Sequence, residues 1–327
     1  MSFILYGVGT AVLALIVYVA YSFVSRQRKA ADFKRREKKE FAKEGTQWKK
    51  SQHEYYVEKF YGTGVTEKHD FHGGYLNFGY WVDANKDYIK ASEGLLSQVA
   101  DSVRLGKDSR LLDIACGMGS QDIFFYNKYK PEHIDMLEAT LTHHIICKKR
   151  IEEGGLEDHL AAHYGSATQI PFDENSFTHV FSIEGGVHYR YRKNFFNETF
   201  RVLKPNGWMS LADYAMPTPP RNFIENFFGR ICSSLWNAPL ENWCSPEVFK
   251  KRVEEAGFVD VEVKDIGKHC IPGYYEESIR PEILKELTKI RGWFTTYILC
   301  RILDELILWA FNHRLLTEVL VRARKPE

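Results

Sequence analysis

The chain lacks the features that fix a class at a glance. It has six cysteines in 327 residues, at 116, 147, 232, 244, 270 and 300, and no Cys-x-x-Cys pair. That scatter speaks against a disulfide framework and against a zinc site, and favours reduced, buried thiols. No metal is expected. A charge of one sign is also missing: 44 Lys and Arg face 43 Asp and Glu, for a formal net charge of +1. No global field draws such a chain to nucleic acid. Internal repeats and low-complexity stretches are absent too.

Long apolar runs are scarce, and the exception stands at the start. Residues 3–24 carry no charge over 22 positions, and about 20 apolar residues span a bilayer as a helix. Tyr18 and Tyr21 suit the membrane interface at one end. A basic block follows, with Arg26, Arg28, Lys29, Lys34, Arg35, Arg36, Lys38 and Lys39. A cleaved signal peptide has its charge in front and small residues behind; this layout is the reverse. The expectation is a transmembrane anchor over residues 1–25 and a basic helical linker over 26–70. The linker is either solvated or laid against anionic headgroups. The rest, 71–327, stays cytosolic by the positive-inside rule. The protein is then a single-pass membrane protein, placed in the endoplasmic reticulum.

From residue 87 onward helices and strands alternate. Helical periodicity marks 89–103, 120–128, 141–153, 193–202 and 246–256. Strand patterns fall at 110–114, 133–137, 160–164, 177–183 and 208–213, with two late alternating strands at 259–265 and 317–324. Lys204-Pro205-Asn206-Gly207 reads as the stop signal between the fourth of these helices and the strand at 208. The pattern implies an α/β fold: a seven-stranded, mostly parallel sheet with helices on both faces.

The loops after the strands carry the chemistry. Residues 111–119 read Leu-Leu-Asp-Ile-Ala-Cys-Gly-Met-Gly, a buried strand breaking into a glycine turn before a helix. Ligands bind at such strand ends. Gly117 and Gly119 permit positive φ and a close approach to the backbone. Position 122 is Asp, so the dinucleotide pattern G-x-G-x-x-G is incomplete. The loop suits a nucleoside without a pyrophosphate. Glu138 follows the second strand, where such a fold places its ribose acceptor. Gly165-Ser166-Ala167 and Ile170-Pro171-Phe172 follow the third, and Glu184-Gly185-Gly186-Val187-His188-Tyr189 the fourth.

Taken in order, Leu-Asp-Ile-Ala-Cys-Gly-Met-Gly, Glu138, Gly-Ser-Ala, Ile-Pro-Phe, Ser182-Ile183-Glu184 with His188, and Arg201-Val202-Leu203-Lys204-Pro205-Asn206-Gly207 resemble the class I S-adenosylmethionine-dependent methyltransferases. The similarity runs from about residue 71 to 258. It is greatest to the small-molecule subset that holds sterol, tocopherol and macrolide methyltransferases. Gly74-Tyr75-Leu76-Asn77-Phe78-Gly79-Tyr80-Trp81 is similar to the aromatic loop that precedes the core in those enzymes.

The resemblance implies S-adenosyl-L-methionine as cofactor. It implies that Gly117 and Gly119 pass its methionine part, that Asp113 anchors the amino group, that Glu138 binds the ribose hydroxyls, and that Ser166 and Ala167 border the adenine. Ser166 stands where the family often has Asp, and a hydroxyl is the weaker acceptor there. The sulfonium already activates the methyl group, so positioning supplies most of the catalysis. A base is needed only where the acceptor must lose a proton. His188 is the first candidate because its ordinary pKa suits neutral pH, with a structural histidine as the plain alternative; Glu184 is the second. Tyr75, Phe78, Tyr80 and Trp81 are suited to face a cation, Tyr75 on the cofactor side and the other three on the substrate side.

Between the two late strands lies an insertion, 269–316. Its densest apolar stretch, 293–311, is interrupted by Arg301, Asp304 and Glu305, which rules against a second span. It suits a helical lid over an apolar pocket or an interfacial helix; a helix buried on the sheet or a homo-oligomer face are the plainer options. Anchor, lid and pocket together point to a lipid or terpenoid acceptor, a sterol or triterpenoid first. An amine or phospho-base N-methyltransferase is the alternative. A non-catalytic membrane adaptor that kept the fold is a third reading, against which Asp113, Gly117, Gly119 and Glu138 argue.

Overall fold

The strand that leads into the glycine turn is covered on both sides. In β1 (Arg110–Ile114) Leu111, Leu112 and Ile114 are all buried, the pattern of a parallel strand under two helical layers. The computed structural model describes residues 72–82, 87–236 and 238–327. The expected anchor and basic linker lie outside the described residues. Among the described residues no helix is long and apolar enough to cross a membrane.

The elements run α1 (Tyr88–Ser102), β1, α2 (Ser120–Tyr129), β2 (His133–Glu138), α3 (Leu141–Gly154), β3 (Leu160–Tyr164), β4 (Phe177–Ile183), α4 (Arg192–Val202), β5 (Leu203–Ala215), α5 (Phe223–Leu235), α6 (Pro246–Glu255), β6 (Val259–Asp265), α7 (Gly267–Ser278), α8 (Pro281–Arg291), α9 (Arg301–Asn312) and β7 (Thr317–Arg324). One seven-stranded sheet forms in the order β3-β2-β1-β4-β5-β7-β6. β1 to β5 pair in parallel, and β7 is antiparallel to both β5 and β6. Successive side chains alternate between two cores, as the pleat dictates. Leu111, Ile134, Met136, Phe181, Ala212 and Leu320 fill one, and Leu112, Ile114, Val180, Leu211, Val319 and Val321 the other.

Local chemistry sets several boundaries. Asp87 caps α1 by accepting from the Lys90 amide at 3.1 Å, and Ser245 caps α6, whose first residue is Pro246. Lys204-Pro205-Asn206-Gly207 does not separate helix from strand as the sequence suggests. β5 starts at Leu203, directly after α4, and spans those four residues. Leu203 pairs with Phe177, pairing resumes at Trp208 with His179, and the segment between is a register shift. Pro205 has no N–H to contribute to a ladder. Asn206 takes the left-handed conformation (φ 62°) and donates to the Lys325 carbonyl at 3.0 Å instead.

The insertion is helical throughout and starts two residues before its expected edge. It comprises α7, α8, a π-helical turn (Thr295–Cys300) and α9. Ile266, Cys270, Ile271, Ile307 and Leu316 join it to the first core. It therefore covers one face of the sheet beside β7, while Trp293 and Phe294 stay exposed.

One buried ion pair holds the sheet to α4. Arg192 and Asp213 lie 3.2 Å apart with side chains 2% exposed on each side. Arg192 also donates from Nε to the Gly186 carbonyl at 3.0 Å and stacks over Phe249, 5.0 Å from the ring centroid. Removing one partner strands a charge in the interior. Arg192→Met is expected to cost about 3–5 kcal/mol, read as a lowered midpoint in urea unfolding, with an unchanged midpoint counting against a structural role.

Candidate functional site

The carboxyl ends of β1, β2, β4 and β5 meet at one edge of the sheet, and the sequence places an acidic residue at or beside each. Asp113, the next-to-last residue of β1, is fully buried. Its Oδ2 accepts from Gln121 Nε2 on α2, while Oδ1 has no hydrogen-bond partner. Burial raises its pKa to about 7, with the Glu138 charge adding to the shift. Asp122 faces it from α2, equally buried, and its pKa is pushed well above the carboxylate range by burial and by the Asp113 charge.

Gly117 and Gly119 have φ of +61° and +80°. A Cβ on Gly117 would meet Leu76 Cδ1 at 2.9 Å, and one on Gly119 would meet Met136 Cε at 2.8 Å. Both positions are thus closed to larger residues by conformation and by space. Glu138, at the end of β2, organises this turn. Its Oε2 accepts from the Gly117 amide at 3.0 Å and its Oε1 from the Thr140 amide at 2.7 Å. A carboxylate has about four acceptor sites, enough to serve a diol as well as these amides. Ser166, 2% exposed, turns its hydroxyl to Thr168, whose amide donates to it at 3.2 Å; Ala167 beside it is 7% exposed.

The aromatic segment before α1 roofs the same edge. Its Leu76 side chain lies over Gly117, filling the space a larger residue there would need. Asn77 is 3% exposed and neither polar atom of its side chain has a hydrogen-bond partner. Phe78 donates its amide to Glu184 Oε1 at 2.6 Å. Tyr75 donates its hydroxyl to Glu93 Oε1 of α1 at 3.1 Å. Tyr80 stacks on His269 at 4.7 Å, and Trp81 ties back to the Phe78 carbonyl by its indole N–H at 2.8 Å and to the His269 carbonyl by its amide at 2.7 Å. These two rings brace the segment against α7. Phe78 is the residue of the expected trio that reaches the strand ends, stacked on Tyr274 at 3.9 Å and edge-on to Tyr214 and Trp236.

Glu184, just past β4, has positive φ (54°). Its Oε2 accepts from the Tyr214 hydroxyl. Desolvation of the carboxyl, reinforced by Asp213, raises its pKa to about 8 against the pull of the Tyr214 and Phe78 hydrogen bonds. His188 sits in the short 3₁₀ turn that follows (Gly186–His188), half-buried, its amide closing the turn on the Gly185 carbonyl at 3.1 Å. Glu318, Tyr214, Asp122, Gln121 and Asn77 are the residues of this edge not singled out from sequence. Glu318 left one signal: it alternates with Leu320 on the core face of β7.

These residues fit an amino-acid-bearing nucleoside. The open Asp113 Oδ1 is an acceptor suited to an ammonium, the idle Asn77 amide offers a donor to a carboxylate, and Glu138 has acceptor capacity for a ribose. The cradle between Gly117, Gly119 and Leu76 is too narrow for added side chains. Among the described residues no His, Cys, Asp and Glu cluster could hold a metal.

The buried Glu184 carboxyl also makes stability depend on pH. Its folded pKa of about 8 exceeds the ordinary 4.5. A raised carboxyl pKa stabilises the fold most below the unfolded value, and the contribution is lost as pH rises through the folded one. The stability advantage of wild type over Glu184→Gln is expected to shrink between pH 5 and about 8, measured by urea unfolding at each pH. A constant difference across that range would sink the assignment.

The methyltransferase domain family matches residues 111–207. The erythromycin 3''-O-methyltransferase of Saccharopolyspora erythraea is 34% identical over 216 residues, which cover 64% of this chain and 69% of that protein. Geranyl diphosphate C-methyltransferase from Streptomyces coelicolor superposes with a TM-score of 0.68 at 14% identity, covering 84% of this chain and 98% of the other. Phosphoethanolamine N-methyltransferase 2 from Haemonchus contortus does so at 0.71 and 15% identity, covering 85% of this chain and 61% of the other. The two superpositions show the fold. Together with the erythromycin-enzyme similarity and the site at the strand ends, they establish that the chain belongs to the class I S-adenosylmethionine-dependent methyltransferases.

Proposed function

We propose that this methyltransferase acts on an apolar, lipid-like acceptor of the sterol or triterpenoid class, from a membrane anchor formed by residues 1–25, with its catalytic domain on the cytosolic side of the endoplasmic reticulum. The observation that carries the acceptor class is the wall beside Glu184. Phe78, Tyr214, Trp236 and Tyr274 pack ring against ring there, with centroid separations of 3.9 to 6.0 Å. Such a wall offers area, not ionic contacts, and apolar area of this kind binds a flat hydrocarbon. The insertion helices α7 and α9 pack on the same core through Cys270, Ile271 and Ile307, and the exposed Trp293, Phe294 and Tyr297 suit a membrane surface.

S-adenosylmethionine supplies a methyl group already activated by its sulfonium, leaving the protein to hold, orient and deprotonate. Asp113 and Asn77 would hold its amino-acid part, Glu138 its ribose, and Gly117 and Gly119 would let it lie against the backbone; Ser166 and Ala167 border the adenine end. Glu184 is placed to take the proton of an acceptor hydroxyl at its carboxylate. Its pKa, raised to about 8, leaves only a minor ionised fraction at neutral pH, and it is that fraction, with its high proton affinity, that would act as the base. His188 on the next turn is the second candidate for that proton.

The alternative, N-methylation of an amine, has one observation in its favour. Asp213 is paired with Arg192, but Glu184 and Glu318 have no Lys or Arg among their described partners. An ammonium would find two carboxyls there. Their raised pKa values argue the other way, since a carboxyl that keeps its proton attracts a cation weakly.

Asp113→Ala is expected to lower S-adenosylmethionine affinity at least tenfold by calorimetry, about 1.4 kcal/mol, while Glu184→Gln leaves it within about twofold. Equal binding by Asp113→Ala would break the cofactor assignment. With radiolabelled S-adenosylmethionine and a total membrane-lipid extract, the label is expected in a neutral lipid fraction, and Glu184→Gln is expected to reduce it more than His188→Ala. Label in an amine-bearing lipid or a water-soluble amine would favour the alternative. Deleting residues 1–25 is expected to move the protein from the membrane pellet to the supernatant with unchanged cofactor affinity.

A further inference from the structure

The aromatic wall does not end at Trp236. Trp243, just past a short 3₁₀ turn (Leu240–Asn242), lies with its ring 5.9 Å from that of Trp236 and tilted 32° to it. It packs against the same core as Phe78 and Tyr214. Its indole Nε1 is buried and has no hydrogen-bond partner among the described residues. A buried donor left unpaired carries the desolvation cost of a lost hydrogen bond, so such groups are rare and call for an explanation. Two neighbouring donors are committed to the protein itself. Tyr214 gives its hydroxyl to Glu184, and Trp81 gives its indole N–H to the Phe78 carbonyl. Trp243 keeps its donor in reserve.

The backbone that carries this donor is tied down on both sides. Asn242 has no exposed surface, and its Nδ2 donates to the Val187 carbonyl at 2.9 Å and to the Tyr189 carbonyl at 2.8 Å. Those two carbonyls flank His188, so the turn behind β4 and the turn before Trp243 are held as one piece. The Trp243 amide closes its own turn on the Leu240 carbonyl at 3.2 Å, and the following carbonyl, of Cys244, accepts from the Met216 amide just past β5 at 2.8 Å. A donor presented by backbone this firmly held loses little freedom when it meets a partner.

We infer that Trp243 is a specificity-determining residue whose indole N–H donates to an oxygen of the acceptor other than the one that is methylated. This rests on the reading of an apolar, lipid-like acceptor beside Glu184. Trp243 joins the wall through Trp236, so a flat molecule that lies on the rings with one oxygen at Glu184 presents its remaining part to the indole. A carbonyl, ether or hydroxyl oxygen accepts there. A plain hydrocarbon leaves the N–H unpaired, and a site with a buried donor discriminates against a ligand that lacks the matching acceptor. An ammonium fares no better, since indole and ammonium both only donate. The acceptor class is thereby narrowed to an apolar molecule that bears two oxygens.

The test places β-(3-benzothienyl)alanine at position 243 of the full-length protein. This isostere keeps the ring shape and has sulfur where the N–H stands. With radiolabelled S-adenosylmethionine and a total membrane-lipid extract as the acceptor source, the isostere is expected to need about tenfold more extract for half-maximal labelling, with the limiting rate within about threefold of wild type. S-adenosylhomocysteine affinity is expected to stay within about twofold. The urea midpoint of the ligand-free isostere is expected to be no lower than that of wild type, because the N–H makes no bond in the empty protein; an N–H with a structural partner would lower it. An unchanged extract requirement or a lowered midpoint would overturn the inference. So would a fall in limiting rate alone, which would put the N–H at the reacting oxygen. Trp243→Phe is expected to show the same extract dependence, with a lower midpoint from its smaller ring. The acceptor reading fails differently: label passing to a water-soluble amine in wild type overturns that reading and this inference with it, whereas a labelled lipid with an unchanged extract requirement overturns this inference alone.

Discussion

The carboxyl of Glu184 ties together three parts of the chain that are far apart in sequence. One oxygen accepts from the Phe78 amide, 106 residues earlier, and the other from the Tyr214 hydroxyl, 30 residues later. Phe78 in turn stacks on Tyr274 of the insertion. The roof over the strand ends, the sheet and the lid therefore meet at one acidic group. Such a group must be hydrogen-bonded to be buried at all, and the same bonds that make its burial tolerable fix where Phe78 stands. The position of Phe78 and the environment of the Glu184 carboxyl are consequences of one contact.

A second carboxylate performs the corresponding task on the cofactor side. Glu138 caps the amides of Gly117 and Thr140, so the glycine turn is held open by an acid from the next strand rather than by its own residues. With Asp113, Asp122 and Glu138 gathered there, this end of the sheet concentrates negative charge in a dry place. That arrangement is destabilising in isolation, and the raised pKa values of Asp113 and Asp122 are its signature. A ligand bringing an ammonium and a diol relieves it, which is why such strain is common where a protein awaits a partner.

Much of this was legible in the residues alone. The strand-turn-helix at 111–119, the acidic residue that ends β2 and the positions of the seven strands along the chain follow from alternation and from glycine placement, because local patterns specify local structure. Less visible were the contacts that depend on pairing between distant strands. Glu318 became part of the site only because β7 runs antiparallel beside β5 and sets it against Tyr214. The hydrogen bond from the Tyr75 hydroxyl to Glu93 on the following helix was equally hidden. The extent of β5 was hidden for a related reason, since Lys204-Pro205-Asn206-Gly207 has the composition of a stop and serves as a bulge within a strand.

The insertion gives the site its chemical character. In an open α/β sheet the strand ends face water, and carboxyls there would titrate as ordinary acids. Here α7 brings Cys270 beside Glu318 and stacks Tyr274 on Phe78, while Trp81 wedges against Gly273, where its ring occupies the space a Cβ would need. The covering desolvates these carboxyls. Desolvation under this ring-rich covering is what lifts the proton affinity of Glu184 toward neutrality.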